Sequence, residues 1–426
     1  MAVRLKDKPF FLAAIICLVL FYSKAVKIPE KNPFISAFPK EALTGLSGML
    51  ISSPQKSASA SSYLSKMSVG AVKAQPFKNS TLPSFSSARG NVDVIIPAEL
   101  CEVYFPGKIY SGAKALKKGC YLYESGADYD FEGCFIGDLF FVKSCSACRW
   151  KKGFLGKIDK ARALCRLHFK RLMFYWKDGG GLILALLSGS KEYLDSTLYS
   201  NFRLSGLSHI IALSGMHLSM FSAITVFFAS RFGRKKLTIA LRITALVAFV
   251  WFAGFSPSLM RAFICSMLLL FASVAGVRQP DMLLILSFSF LLQTIISPSD
   301  LENAGFMLSY GALAGILLVG RGLTRFFTRF MPYYFAGSLS ASCGAQIFTA
   351  PISLRLFGSF SPVGIIASVF VSPLISIFIY TALFLILLCL LFPSLASYSA
   401  FFVEIEYNLI KFVVGFFSHA PVWSIA

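Results

Sequence analysis

The chain predicts an α-helical polytopic membrane protein that carries an extracytoplasmic β-rich domain. Three observations lead there. Of 426 residues, 56% are hydrophobic and the mean hydropathy is +0.69, values that do not describe a soluble globular protein. Several apolar runs are long enough to span a bilayer, the clearest being Leu374–Phe392, nineteen residues without a charge. Residues 40–150 are a different material, in which short β-prone pieces alternate with Ser-, Gly- and Pro-rich turns. The net charge of +21 is part of the same picture. Cytoplasmic loops of membrane proteins collect Lys and Arg, and the rest of the excess lies between Lys27 and Lys191. A basic part outside the membrane suits an anionic partner, either nucleic acid or lipid head groups.

The elements follow in order. The N-terminus has the form of a basic n-region and an apolar stretch from Pro9 to Tyr22. The SKAVKIP that follows offers no small-residue cleavage site, so residues 1–26 are read as an uncleaved anchor. Arg4, Lys6 and Lys8 then hold its start in the cytoplasm and place residues 27–205 outside. Residues 27–150 read as a small β-barrel or sandwich. Within it Tyr104, Phe105, Tyr110, Tyr121, Tyr123 and Trp150 stand beside Lys108, Lys114, Lys117 and Lys118. Such aromatics serve either as barrel core or as platforms for nucleic-acid bases. Residues 151–180 read as a basic amphipathic helix with Arg162, Arg166 and Lys170 at four-residue spacing, suited to lie in the membrane interface with its cations on lipid phosphate.

Residues 181–426 form the dense membrane region. It opens on Gly206–Phe221, GLSHIIALSGMHLSMF, where Ser214, Gly215 and His217 interrupt an apolar span. A continuous helix from Ser208 would put His217 about 14 Å deep, where polar groups are costly. The basic segments at 231–236, 278 and 321–329 all fall on one side if the spans alternate, and the opposite loops carry no Lys or Arg. Arg261, a few residues inside Pro257, either snorkels outward or faces an anion. Ser338, Ser340, Ser342, Gln346 and Thr349 line a helix with few bulky residues, either a close seam or a pore wall. Gly311–Gly315 reads as a packing motif, and Pro362 and Pro373 leave open whether 361–392 is a full span or a re-entrant half-helix.

Four stretches in this order resemble the ComEC family of competence proteins: GLSHIIALSGMHLSMF at 206–221, SPSLMRAFICSMLLL at 256–270, NAGFMLSYGALAGILL at 303–318 and FGSFSPVGIIASVFVSPLI at 357–375. The resemblance implies a channel passing one DNA strand across the cytoplasmic membrane during natural transformation. It implies an OB-like extracytoplasmic insert, in which Tyr104, Lys108, Lys114, Lys117 and Lys118 would meet single-stranded DNA. A wet path for that strand would run by Ser214, Gly215, His217, Arg261, Ser342 and Gln346. Membrane lipids are the other expected partners. The chain shows no run of His and Asp metal ligands and no P-loop, so no metal, cofactor or enzymatic activity is expected and no C-terminal metallo-β-lactamase-like domain is expected; a DNA receptor, a nuclease and a cytoplasmic motor would be separate proteins. The rival readings are a small-molecule or lipid transporter and a non-transporting membrane scaffold. Paired intramembrane carboxylates or repeat symmetry would mark a transporter, and neither is evident. Six cysteines fall in the outer stretch, Cys101, Cys120, Cys134, Cys145, Cys148 and Cys165, and are expected to form disulfides, with free thiols or a zinc site as alternatives.

Overall fold

The computed structural model describes residues 9–23, 33–56, 62–74, 84–101, 123–191, 193–231, 233, 235–392 and 394–424. The protein is a helical polytopic membrane protein with a β-rich domain, and its chain divides into two compact units. One comprises Met1–Ile28, Asp178–Gly189 and Tyr193–Ala426, the other Pro29–Lys177 with Ser190–Glu192. The N-terminal helix α1 (Pro9–Tyr22) belongs to the first, and all five long strands to the second.

Those strands are β1 (Leu43–Leu50), β2 (Ser62–Ala74), β3 (Ser84–Pro97), β4 (Ala127–Ile136) and β5 (Leu139–Trp150). Strand β1 pairs antiparallel with both β2 and β4, β2 pairs with β3, and β4 with β5. A short parallel contact, Asp93–Ile95 of β3 against Leu139–Phe141 of β5, closes the ring. The result is a closed five-stranded barrel. Alternation builds its core: Leu46, Tyr63, Met67, Val72, Val94, Ile96, Phe131 and Phe140 all point inward. Gly48 and Gly133 sit at the bulges of β1 and β4, where an added Cβ would lie 2.1 Å from the Ser68 carbonyl and 1.9 Å from that of Phe141. Tyr123 is buried and stacks on Tyr129 at 5.3 Å, and Trp150 packs on the same core. Both are therefore core residues rather than open platforms.

In the membrane unit, four helices are long and apolar enough to cross a bilayer: α6 (Lys235–Ala253), α7 (Pro257–Val274), α9 (Ala304–Phe327) and α11 (Gly364–Leu391). Shorter apolar helices are α1, α5 (Gly215–Ser230) and α8 (Met282–Ile296). The remainder are α3 (Lys177–Ser188), α4 (Ser196–Leu204), α10 (Tyr333–Phe357) and α12 (Leu395–Ser418). Helix α11 settles the proline question, because it continues through Pro373 for 28 residues. At ~1.5 Å per residue it exceeds a hydrocarbon core of about 30 Å, so it is long enough to span with some tilt. Helices α9 and α10 cross with backbones touching: a Cβ on Gly315 would lie 2.0 Å from the Gly344 carbonyl. The Gly311–Gly315 pair is a packing face, as its spacing indicates. A π-helical turn at Ile316–Gly320 follows directly.

The basic helix α2 (Phe154–Tyr175) turns its charge inward within the β-rich unit. Arg166 Nε and Lys170 Nζ lie 3.4 and 3.8 Å from Glu124, a carboxylate only 3% exposed, which also accepts a 2.5 Å hydrogen bond from Ser53. Arg162 reaches the neighbouring Ser125. Those three cations spaced for lipid phosphate are thus engaged by the protein, while Phe154, Leu155, Leu164 and Tyr175 are exposed apolar members of the helix and Lys157, Lys160 and Arg171 are exposed cations. Burial alone would raise the Glu124 pKa. Arg166, Lys170, the Ser53 hydroxyl and Arg162 outweigh burial and hold it below the usual carboxylate range. A depressed folded pKa gives stability that is present above the unfolded value of about 4.3 and lost as pH falls through the folded one. Amides of α2 should therefore lose hydrogen-exchange protection below about pH 4. Glu124→Gln should lower stability by about 3–5 kcal/mol at neutral pH, because it strands buried cations, and should abolish that acid transition. Unchanged protection and an unchanged acid transition in the variant would show that α2 is held by other contacts.

Candidate functional site

The polar motif at 214–217 does not lie inside a continuous helix. A short helix, Ser208–Ile211, stops, the chain extends through Ala212, and α5 begins afresh at Gly215. His217 therefore stands in the first turn of α5, and the span opens later than the apolar run indicates. The Ser214 backbone N–H donates to His217 Nδ1 at 3.1 Å, with the Ser214 hydroxyl 3.2 Å from the same nitrogen. This is the reach-back half of a capping box, with imidazole in place of the usual Glu or Gln. Because Nδ1 accepts, the ring proton sits on Nε2. That atom is buried without a partner among the described residues, in a side chain of 0% exposure.

Arg261 arrives at the same place from α7. Its Nη2 lies 3.5 Å from where a Cβ on Gly215 would be, so glycine at that position leaves room for the guanidinium. Its Nε donates to Ser309 of α9 at 2.7 Å, Ser309 meets Ser258 at 3.1 Å, and the guanidinium stands 6.0 Å over the Tyr310 ring. The Tyr310 hydroxyl lies 2.8 Å from Ser289 and donates to Gln293 Oε1 at 3.1 Å. Gln293 in turn donates to the Pro257 carbonyl and to Asp300. Arg261 thus points inward across α5, α7 and α9 and does not snorkel outward. No carboxylate pairs with it among the described residues. The same holds for Arg242 of α6, which donates to the buried Ser222 of α5 at 2.6 Å.

The sequence-selected residues fall in two places. Ser214, Gly215, His217 and Arg261 come together. Ser342 and Gln346 lie apart, on the seam of α10 with α11. There Ser342 meets Ser368 at 2.6 Å and Gln346 Nε2 crowds Gly364, leaving Gln346 Oε1 buried with no partner among the described residues. Sequence reasoning missed Arg242, Ser258, Ser289, Gln293, Ser309 and Tyr310. Serine and glutamine recur on one side of α8 (Ser289, Gln293), and Ser309-Tyr310 lies inside a quoted motif, so the signal was present as polar residues repeating in apolar helices.

Tyr104, Lys108, Lys114, Lys117, Lys118 and Cys120 lie outside the described residues, as does the side chain of Cys101. The disulfide pairings that would use Cys101 or Cys120 therefore lie outside the described residues too, while Cys134, Cys145, Cys148 and Cys165 are free thiols here, so no disulfide joins these four to one another. The register explains it for the strand cysteines: Cys134 faces Phe141, Cys145 faces Phe131 and Cys148 faces Tyr129, so none is another's cross-strand neighbour. Burial pushes the Cys145 thiol up to about 12 and raises Cys148 as well, which keeps both protonated and unreactive.

Comparison with known proteins gives this cluster its setting. The family profile described as "Competence protein" matches residues 186–426, more than half of the chain and all of α4–α12. Recombination protein 2 of Haemophilus influenzae is 26% identical over 255 residues, covering 56% of this chain and 31% of that one. ComE operon protein 3 of Bacillus subtilis is 27% identical over 191 residues, covering 44% and 24%. The chain spans less than a third of the length of these curated relatives. No solved structure matches it. The break before α5, the arginine of α7 and the Ser-Tyr pair of α9 all lie within the profile match, and the chain belongs to the competence protein family.

Proposed function

We propose that the membrane unit passes single-stranded DNA across the cytoplasmic membrane during natural transformation. The observation that carries this reading is a cation with no carboxylate partner, Arg261, set beside the broken start of α5. A charged group in a membrane interior is retained only where it does something. Ser309, itself bonded to Ser258, holds it by a neutral hydrogen bond and the Tyr310 ring lies beside its guanidinium, which leaves its positive charge available to a phosphate. The helix start adds the positive end of a dipole, the arrangement by which discontinuous helices receive anionic groups. Arg242 extends the positive character to α6. Ser342 and Gln346 border a second polar seam on the same route. In this reading residues 27–205 lie outside the cell membrane, the barrel meets the incoming strand, and a receptor, a nuclease and a cytoplasmic motor act as separate partners.

The position of the barrel is checked by accessibility of introduced cysteines. Sites in 90–150 should react with an impermeant reagent from outside, and sites at 231–236, 278 and 321–329 only from inside. A barrel labelled from the cytoplasm would sink the reading.

For the barrel, the β-rich unit should bind single-stranded DNA weakly. With about three phosphate contacts, affinity should fall roughly 20-fold between about 50 and 200 mM salt. Absence of binding at the lower salt would leave the barrel a structural module.

Arg261→Ala should reduce transformation by roughly 10- to 100-fold at unchanged membrane abundance, the scale of one charge-assisted hydrogen bond. Arg261→Lys keeps the charge and loses the Nε donor to Ser309. It should retain most uptake if the charge serves phosphate, and fail if the group is a packing bracket. His217→Ala should cost about 1 kcal/mol of helix capping, read as lower protein abundance. Uptake that falls only in step with abundance in both alanine variants would remove these residues from the path.

A further inference from the structure

Helices α1, α8, α9 and α10 enclose a groove of about 320 Å3 inside the membrane unit. Ala14 and Leu18 wall it from α1, Leu286 from α8, Ala314 and Leu318 from α9, and Phe348 from α10. Its only polar contributors are Ser287 and Tyr310, and both are committed elsewhere: Ser287 donates to the Leu283 carbonyl at 2.7 Å and Tyr310 to Gln293. Water needs two to four polar partners to occupy a buried site, so the groove does not hold water. It is about twice the size of an engineered apolar cavity of roughly 150 Å3 that stays dry and accepts benzene. The apolar occupant always present at this depth is an acyl chain.

The dimensions and the charge at one end narrow the identity. Along α1 the groove runs from Phe11 to Phe21, about 15 Å at the helical rise and half of a ~30 Å hydrocarbon core, the depth of one leaflet. Beyond Leu318, the next turn of α9 begins with Arg321, and Arg325 follows one turn later; both are exposed. Neither has a carboxylate partner among the described residues. Cationic groups at the membrane end of an interhelical groove recognise anionic lipid head groups. We infer that this groove binds one anionic phospholipid, an acyl chain lying between α1 and α9 and its phosphate on Arg321. The inference is independent of what the membrane unit transports.

The full chain, purified and delipidated in detergent, is titrated with dioleoylphosphatidylglycerol or dioleoylphosphatidylcholine and read by native mass spectrometry. One phosphatidylglycerol should remain bound, roughly tenfold or more tighter than phosphatidylcholine. Ala314→Phe, which fills the groove, should remove the adduct. Leu18→Trp does the same from the α1 wall and serves if the first variant fails to fold. Arg321→Ala should bring the two lipids to equal affinity. The assignment is overturned if the filling variants keep the adduct, if the wild type holds neither lipid, or if it holds both equally. A stoichiometric apolar subunit that copurifies and is displaced by the same filling variants would also overturn it, since a protein helix would then be the occupant.

Discussion

The hydrogen bond from Arg261 to Ser309 is the joint on which the membrane unit turns. Acyl chains offer no polar partner, so a guanidinium among apolar helices must be held by the protein. A carboxylate would hold it and neutralise it. A serine hydroxyl and an aromatic ring hold it and leave the charge in place. The helices then have to stand where those neutral groups can reach: α9 must bring Ser309 and Tyr310 to α7, and α8 must bring Ser289 and Gln293 to Tyr310. Gly215 must stay small where α5 meets the guanidinium. One uncompensated charge sits where α5, α7 and α9 meet, and α8 joins through Tyr310.

The β-rich unit treats its surplus charge in the opposite manner. Around Glu124 the cations Arg162, Arg166 and Lys170 gather on one buried carboxylate, so attraction is spent on fixing α2 to the strands. Breaking that carboxylate leaves buried like charges facing one another, which is why so small a group governs so long a helix. The same residue types therefore do different work in the two units. Where an acid is present they anchor, and where only hydroxyls are present they keep a field.

Much of this was legible in the residues. Composition and apolar length marked the membrane helices, and strand-and-turn alternation marked the barrel, because both patterns are local. The site was half legible. Ser214, Gly215, His217 and Arg261 stand out as polar or small residues in apolar runs, and they do converge. Their partners did not stand out, because Ser289, Ser309 and Tyr310 are ordinary members of a helix until the fold brings them within 3 Å of something. The break before α5 was hidden for a similar reason. Ala212 and Leu213 suit a helix, and only the His217 side chain, by taking the Ser214 N–H, shows that a new helix starts there. The inward turn of α2 was also invisible, since four-residue spacing specifies a face and not what covers it.

The crossing of α9 and α10 has a mechanical consequence. With the Gly344 carbonyl 2.0 Å from where a Gly315 Cβ would stand, the two backbones meet directly at that point with no room for a side chain between them. Phe348 and Ile352 of α10 flank this point and close on Gly315 and Gly311. The pair is a fixed beam. Rearrangement within the bundle is thereby left to helix pairs that meet through side chains alone.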